Sequence, residues 1–179
     1  MKRKSVYFIA QAAIIATLYA TLTVLQNVLV PGSASAAVQF RVSEVLTILA
    51  LYTPAAIPGL TVGCVLANIS SVAVIGPIDM LFGSLASCIA AVLMYMLRRV
   101  RIFKLPVSAA LMPALVNGLI VGFEIDFFIV GQGSFHLDDF ILQSGCVALG
   151  ELAVLFVLGL PLSRLLELRG IDKKYLQIK

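Results

Sequence analysis

Charge is what this sequence has least of. Only 12% of its 179 residues are Asp, Glu, Lys or Arg, against about 25% in an ordinary soluble domain. Hydrophobic residues make up 61% and the mean hydropathy is +1.07, where soluble domains run ~45–50% apolar even with Gly counted. A water-soluble fold of this size has nowhere to hide that surface. Disorder and a disulfide-stapled secreted scaffold are excluded with it. The 13 Lys and Arg, for a net charge of +4, are too few and too scattered for a nucleic-acid-binding face.

Several catalytic and transport devices are missing as well. There is one histidine, His136, in a loop, so the sequence offers no metal cluster and no Ser/His pair for intramembrane proteolysis. Cys64, Cys88 and Cys146 lie in apolar stretches without metal-ligand spacing, and an odd number argues against a bridge. They read as small packing residues. No GxxxxGK[ST] loop is present, which excludes ATP hydrolysis by that route. Nor is there an Arg-rich voltage-sensing helix, a filter-like repeat or an inverted repeat. An active transporter this small needs a partner for its energy.

What the sequence does have is long apolar runs. A spanning helix takes ~20 mostly apolar residues. Residues 6–30, 80–97, 105–123 and 140–163 each supply one, the last with an internal carboxylate at Glu151. Residues 45–78 are uncharged, too long for one crossing and short for two, and carry Pro54 and Pro58 in the middle. Proline costs a helix a backbone bond, so this stretch is predicted to form two short helices turning at residues 53–59. The expectation is an all-α, polytopic membrane protein: one integral domain over residues 1–179 with six transmembrane helices.

Basic residues test the count. With the N-terminus inside, Lys2, Arg3, Lys4, Arg98, Arg99, Arg101, Lys104, Arg164, Arg169, Lys173, Lys174 and Lys179 fall inside, and only Arg41 falls outside. That is the positive-inside bias, and with an even number of crossings it puts both termini on the inner side of the membrane. A single crossing by residues 45–78 would break it, whereas two crossings or a re-entrant hairpin preserve it. Ser33-Ala34-Ser35-Ala36 resembles a cleavage site, but the preceding run exceeds the ~7–15 residues of a signal h-region. It reads as a retained helix.

Small residues pack helices in lipid by letting backbones approach. They recur every four positions as Ala12, Ala16 and Ala20, as Gly59, Gly63, Ala67 and Ser71, and as Ala110, Ala114, Gly118 and Gly122. The second and third stripes read as internal packing. The first admits either internal packing or contact with another membrane subunit.

An ionisable group at bilayer depth costs at least ~2.5–3.5 kcal/mol, so it usually faces a partner, a cavity or a ligand. Helix counting places Glu151, Asn68 and Asn117 near mid-depth. Glu124, Asp79, Arg41 and Glu44 lie towards the outer ends, with Gln39 and Phe40 beside the last two. Their gathering in the outer half is the footprint of a small polar ligand site. Structural readings compete: Arg41 pairing with Glu44, Ser43 as a helix cap, Asp79 complementing a helix dipole, Asn68 bonded to Asn117. Glu151 has no basic residue at its depth. It is either protonated or holds a ligand's donors, and the ligand is the preferred reading. Asp126, His136, Asp138 and Asp139 read as solvated loop residues, and Gly131-Gln132-Gly133-Ser134 as a flexible turn.

The run Val38-Gln39-Phe40-Arg41-Val42-Ser43-Glu44 and its continuation Val45-Leu46-Thr47 resemble the QueT family. So do Thr53-Pro54-Ala55-Ala56-Ile57-Pro58-Gly59, Gly63-Cys64-Val65-Leu66-Ala67-Asn68 and Asp79-Met80-Leu81-Phe82-Gly83-Ser84-Leu85-Ala86. The likeness extends from the first helix to the basic tail, and departs in the 68–77 connection, at Ser70-Ser71 and Gly76-Pro77. It implies a substrate-binding S component of an energy-coupling factor (ECF) transporter. Such a chain is not an enzyme and has no catalytic residues, no metal and no cofactor of its own. It works with a transmembrane scaffold subunit and two ABC ATPases that use the ATP, and topples in the bilayer with its ligand. The resemblance also shifts Ala12, Ala16 and Ala20 towards scaffold binding.

The implied ligand is a queuosine precursor, a 7-deazaguanine such as queuine or its aminomethyl precursor. One carboxylate can accept its ring N–H and exocyclic amine together. Glu151 is assigned that edge, with Asn68 and Asn117 positioning the base. Glu44, Asp79 or Glu124 would meet the amine or hydroxyl groups, beside Arg41, and Phe40 or Phe82 would stack on the ring. An S component for another nutrient, or a structural membrane protein, is the competing expectation.

Overall fold

The computed structural model describes residues 2–30, 40–69, 72, 77–172 and 176. Ser33–Ala36, Gln39, Ser70-Ser71, Gly76 and Lys173, Lys174 and Lys179 lie outside the described residues. The described residues form α1 (Lys2–Leu29), α2 (Val42–Leu51), α3 (Ala56–Asn68), α4 (Ile78–Met96), α5 (Val107–Val130) and α6 (Leu137–Leu168). Among these residues the one β-type pairing is the isolated bridge between Ile102 and Leu105. Four helices, in α1, α4, α5 and α6, are long and apolar enough to cross a membrane, and α2 and α3 are shorter and apolar. The protein is a multi-pass membrane protein.

Each helix packs on the next in the order α1, α3, α4, α5, α6, and α2 lies against all five. α2 is therefore the centre of the bundle. Its side chains follow suit: Ser43, Glu44, Thr47, Ile48, Ala50 and Leu51 are all buried. It is wound as a 3-10 helix of 10 residues, which at ~2.0 Å rise spans about 20 Å. The 13 residues of α3 span the same ~20 Å at an α-helical rise. The two arms of the hairpin thus match in length although they differ by three residues.

The proline-directed hairpin is present, with two adjustments. The turn occupies Tyr52 to Ala55, and α3 is already helical at Ala56. Pro58 sits in the first turn of α3, where a missing N–H removes no intrahelical bond. The first arm also opens earlier than expected, at Val42, with the Glu44 N–H donating to the Arg41 carbonyl at 3.0 Å.

Two of the small-residue stripes pack inside the bundle as expected. A Cβ on Gly59 would lie 2.9 Å from the Ala12 carbonyl oxygen, and one on Gly63 would lie 2.8 Å from Tyr19 Cβ and 3.0 Å from the Ala16 oxygen. On α5, a Cβ on Gly118 would be 3.1 Å from Ala148 Cβ, and one on Gly122 2.7 Å from Ser144 Cα. The first stripe lies opposite the second. Ala12 and Ala16 are what Gly59 and Gly63 press against, Ala16 is buried and Ala20 is half-buried. That face of α1 is turned to α3 at Ala12 and Ala16, where the glycine stripe meets an equally small surface, and Ala12, like Ala20, stays half-buried.

The two ends of the bundle are tied differently. At the end carrying Arg98 to Lys104, Tyr52 Oη hydrogen-bonds Ser163 Oγ at 2.6 Å and donates to Glu167 at 3.1 Å. Glu167 also pairs with Arg101 at 2.8 Å. At the opposite end Gln26 spans the gap before α2, its amide donating to the Phe40 carbonyl while its oxygen accepts from the Val42 N–H at 2.8 Å.

Candidate functional site

A buried polar cluster runs through the middle of this bundle, where α2 meets α4, α5 and α6. Its centre is the contact between α5 and α6. Asn117 Nδ2 donates to Glu151 Oε1 at 2.6 Å, and both residues are buried. The close approach of Gly118 and Gly122 to α6 brings the two side chains within reach. One turn beyond Glu151, α6 leaves α-helical winding for a π segment, Leu155–Gly159, an irregularity that recurs at functional sites. Gly159 is pressed there against Ile48 of α2.

Glu44 faces the pair from α2. The Tyr19 hydroxyl of α1 donates to Glu44 Oε1, and Ser43 beside it shares a 2.7 Å hydrogen bond with Thr23. Ser43 therefore ties α2 to α1 and caps nothing, which corrects the capping reading. Glu44 Oε2, Glu151 Oε2 and Arg41 Nε are all buried without a hydrogen-bond partner. Buried polar groups are nearly always satisfied, and three such atoms around one space mark it as built for something polar.

That space is lined by Arg41, Glu44, Gly83, Ser87, Asn117, Val121 and Glu151. Its volume is about 10 Å³, room for a single water molecule. The site is assembled but closed: a ring-sized ligand has to part the helices to occupy it.

Four of the residues expected from the sequence thus line one cavity: Arg41, Glu44, Asn117 and Glu151. Asn68 and Asp79 adjoin it through Gly83. Asn68 Nδ2 donates to the Asp79 backbone oxygen at 3.1 Å. A Cβ on Gly83 would meet that nitrogen at 2.8 Å and Asp79 Oδ1 at 3.7 Å. Asn117 bonds Glu151, so the interhelical amide pair expected of Asn68 and Asn117 gives way to two separate bonds. Asp79 stands in the first turn of α4, where a carboxylate also complements the helix dipole.

The remaining expected residues lie apart from the lining. Glu124 is 1% exposed, with neither carboxylate oxygen partnered. Phe82 joins an aromatic cluster, its ring centroid 6.4 Å from Phe123 and 5.6 Å from Phe128. Phe40 is 46% exposed at the bundle surface, outside the cavity lining. Asp126, expected to be solvated, is fully buried.

Tyr19, Gly83, Ser87 and Val121 belong to the site or support it and were not expected. Tyr19 carried a readable signal: a phenol in mid-helix within an uncharged run needs a hydrogen-bond partner when buried. The others are small or apolar and look like packing residues until α4 and α5 are brought together.

A sequence profile of the QueT transporter family matches residues 9–168. The chain belongs to the QueT transporter family. Within that span lie all nine residues to which the sequence assigned the ligand. A curated relative described as queuosine precursor transporter QueT, from Lactococcus lactis subsp. cremoris (strain MG1363), is 29% identical over 167 residues, covering 88% of this chain and 90% of that protein. No solved structure matches the chain. QueT-family membership agrees with a multi-pass membrane architecture around a small polar cavity.

Proposed function

We propose that this transporter carries a queuosine precursor, a 7-deazaguanine such as queuine or its aminomethyl precursor. The observation that carries the reading is the Glu151–Asn117 pair facing Glu44 and Arg41 across a closed cavity, each carboxylate with one oxygen unpartnered. The relative's description supports the same substrate class.

The chemistry matches the donor set. A guanine-type edge presents a ring N–H and an exocyclic amine side by side, and one carboxylate accepts both in a bidentate, charge-assisted arrangement. Glu151 takes that edge. The base carbonyl accepts from an amide or a guanidinium, which Asn117 and Arg41 supply. Glu44, held by Tyr19, meets the remaining donors. A ligand ammonium reaches Glu124 or Asp79 towards the end bearing Phe40, close to the Phe82 aromatic cluster.

In this reading the chain is the substrate-binding S component of an ECF importer. It captures its ligand from outside and topples in the bilayer to release it inside. A membrane scaffold subunit and two ABC ATPases supply the energy, so ATP is used by the partners and no cofactor resides in this chain. The end rich in Lys and Arg faces the cytoplasm. The chain performs no chemistry on its ligand.

Calorimetric titration in detergent with queuine, the aminomethyl precursor, guanine and a vitamin panel tests this. Submicromolar binding confined to the deazaguanines, weakened at least tenfold in a monodisperse Glu151→Gln variant, is expected. Tight binding of another nutrient overturns the substrate. Unchanged affinity in the variant overturns the role of Glu151.

A further inference from the structure

Away from the central cavity, the connection between α5 and α6 brings together three side chains of ligating type. Asp126 lies in the π-wound end of α5 (Ile125–Val130), His136 immediately precedes α6, and Asp139 is in its first turn. One ligand atom from each lies within 4.8 Å of the others. Three ligands bound ~2.1 Å from one ion stand about 3.4–3.6 Å from one another, so the group closes on an ion by a contraction of roughly an ångström, within reach of side-chain rotation at the exposed His136 and half-buried Asp139.

Asp126 is the telling member. It is 0% exposed, its Oδ2 accepts the His136 backbone N–H at 3.2 Å, and its Oδ1 is buried with no hydrogen-bond partner. A buried carboxylate oxygen without compensation costs several kcal/mol unless a proton or cation meets it. No Lys or Arg among the described residues forms an ion pair with it. The loop between is wound to bring the ends together. The Gly131 N–H donates to the Asp126 carbonyl at 2.6 Å, that of Gly133 to Phe127 at 2.7 Å, and that of Ser134 to Gly131 at 2.9 Å. The His136 ring lies against Gly131, its Nδ1 3.1 Å from where a Cβ would stand. A Cβ at 131 would also run into the Ser134 carbonyl oxygen and lie 2.8 Å from that of Asp126, so this turn is closed too tightly for any residue but glycine.

We infer that Asp126, His136 and Asp139 form a divalent transition-metal site that clamps the α5–α6 connection. The ligand set selects the ion class. One imidazole and two carboxylates suit a borderline cation of the zinc type, whereas calcium prefers six to eight oxygens. With three protein ligands the remaining positions go to water. The bound ion ties the end of α5 to the start of α6, two residues from the unpartnered Glu124. The site stands independently of the ligand assigned to the central cavity.

The test uses the full chain in detergent, freed of any histidine tag, stripped with EDTA and titrated calorimetrically with zinc chloride, then manganese and calcium chloride. Expected are one equivalent of zinc, calcium at least a hundredfold weaker, and a zinc-dependent rise in unfolding temperature. His136→Ala removes an exposed ring and leaves the buried Asp126 in place, so the fold survives. It should weaken zinc at least tenfold and abolish the thermal shift. Asp126→Asn should do the same if it folds. Absence of a saturable single equivalent overturns the site, and so does undiminished zinc affinity in His136→Ala, which would put the ion elsewhere.

Discussion

Asn117 on α5 and Glu151 on α6 meet at 2.6 Å in the interior of the bundle, and nothing charged separates them. The amide fixes one carboxylate oxygen and leaves the other, Oε2, facing the cavity without a partner. A side chain held at one oxygen and open at the other is already oriented for a ligand.

Asn117→Leu removes that orientation. It strands both oxygens of a buried carboxylate, a penalty of about 1–3 kcal/mol, more for a charged group. Thermal unfolding in detergent should show the loss, and calorimetry a parallel weakening of ligand binding. In the Asn117→Leu, Glu151→Leu pair the stability should largely return while binding does not, a coupling that a double-mutant cycle reads directly.

Tyr19→Phe deletes the hydroxyl that Glu44 accepts and changes almost no volume. It should cost about 1–3 kcal/mol of stability through the orphaned acceptor, with Glu44→Gln in the same background recovering part of it. Equal stability of Tyr19→Phe and the parent would show that the phenol is packing alone.

Glycines on the helix contacts should respond according to what faces them. Gly63→Val drives a side chain into the α1 backbone at Ala16 and the Tyr19 Cβ and should destabilise by about 1–3 kcal/mol. Gly145→Ala meets nothing within 4 Å and should stabilise α6 by up to about 1 kcal/mol through helix propensity. Unfolding temperatures of the two variants, moving in opposite directions, check the assignment of the α1–α3 contact.

Gly83→Ala places a methyl 2.8 Å from Asn68 Nδ2 and displaces the amide that bonds the Asp79 carbonyl. Ligand affinity should fall about tenfold, the equivalent of ~1.4 kcal/mol, while Ser84→Ala next to it, whose hydroxyl bonds carbonyls of its own helix at Met80 and Leu81, should leave binding unchanged.

Much of this architecture is legible in the sequence because lipid enforces simple rules. Pro54 and Pro58 in an uncharged stretch dictate a hairpin, and Gly59 with Gly63 dictates a close helix contact. The α1 stripe was harder: Ala12 and Ala16 carry the same spacing whether they meet α3 or another protein, and the approach of Gly59 and Gly63 to them appears only in the folded chain. The charged members of the site could be found because burying charge is costly. Gly83, Ser87 and Val121 could not, since what matters about them is the space they leave. Asp126 escaped because a loop carboxylate is ordinarily solvated, and its burial follows from the folding of the 126–136 turn rather than from any pattern around it.

The 3-10 winding of α2 sets its residues in straight files, since positions three apart eclipse. Glu44, Thr47 and Ala50, all buried, stand one beneath another at steps of about 6 Å. In an α-helix each would be swung about 60° from the last. The file grades from carboxylate to hydroxyl to methyl, a plumb line of falling polarity let down through the centre of the protein. Below Thr47 that line offers no further hydrogen-bonding side chain, so the winding of one short helix fixes how deep the polar part of the interior reaches.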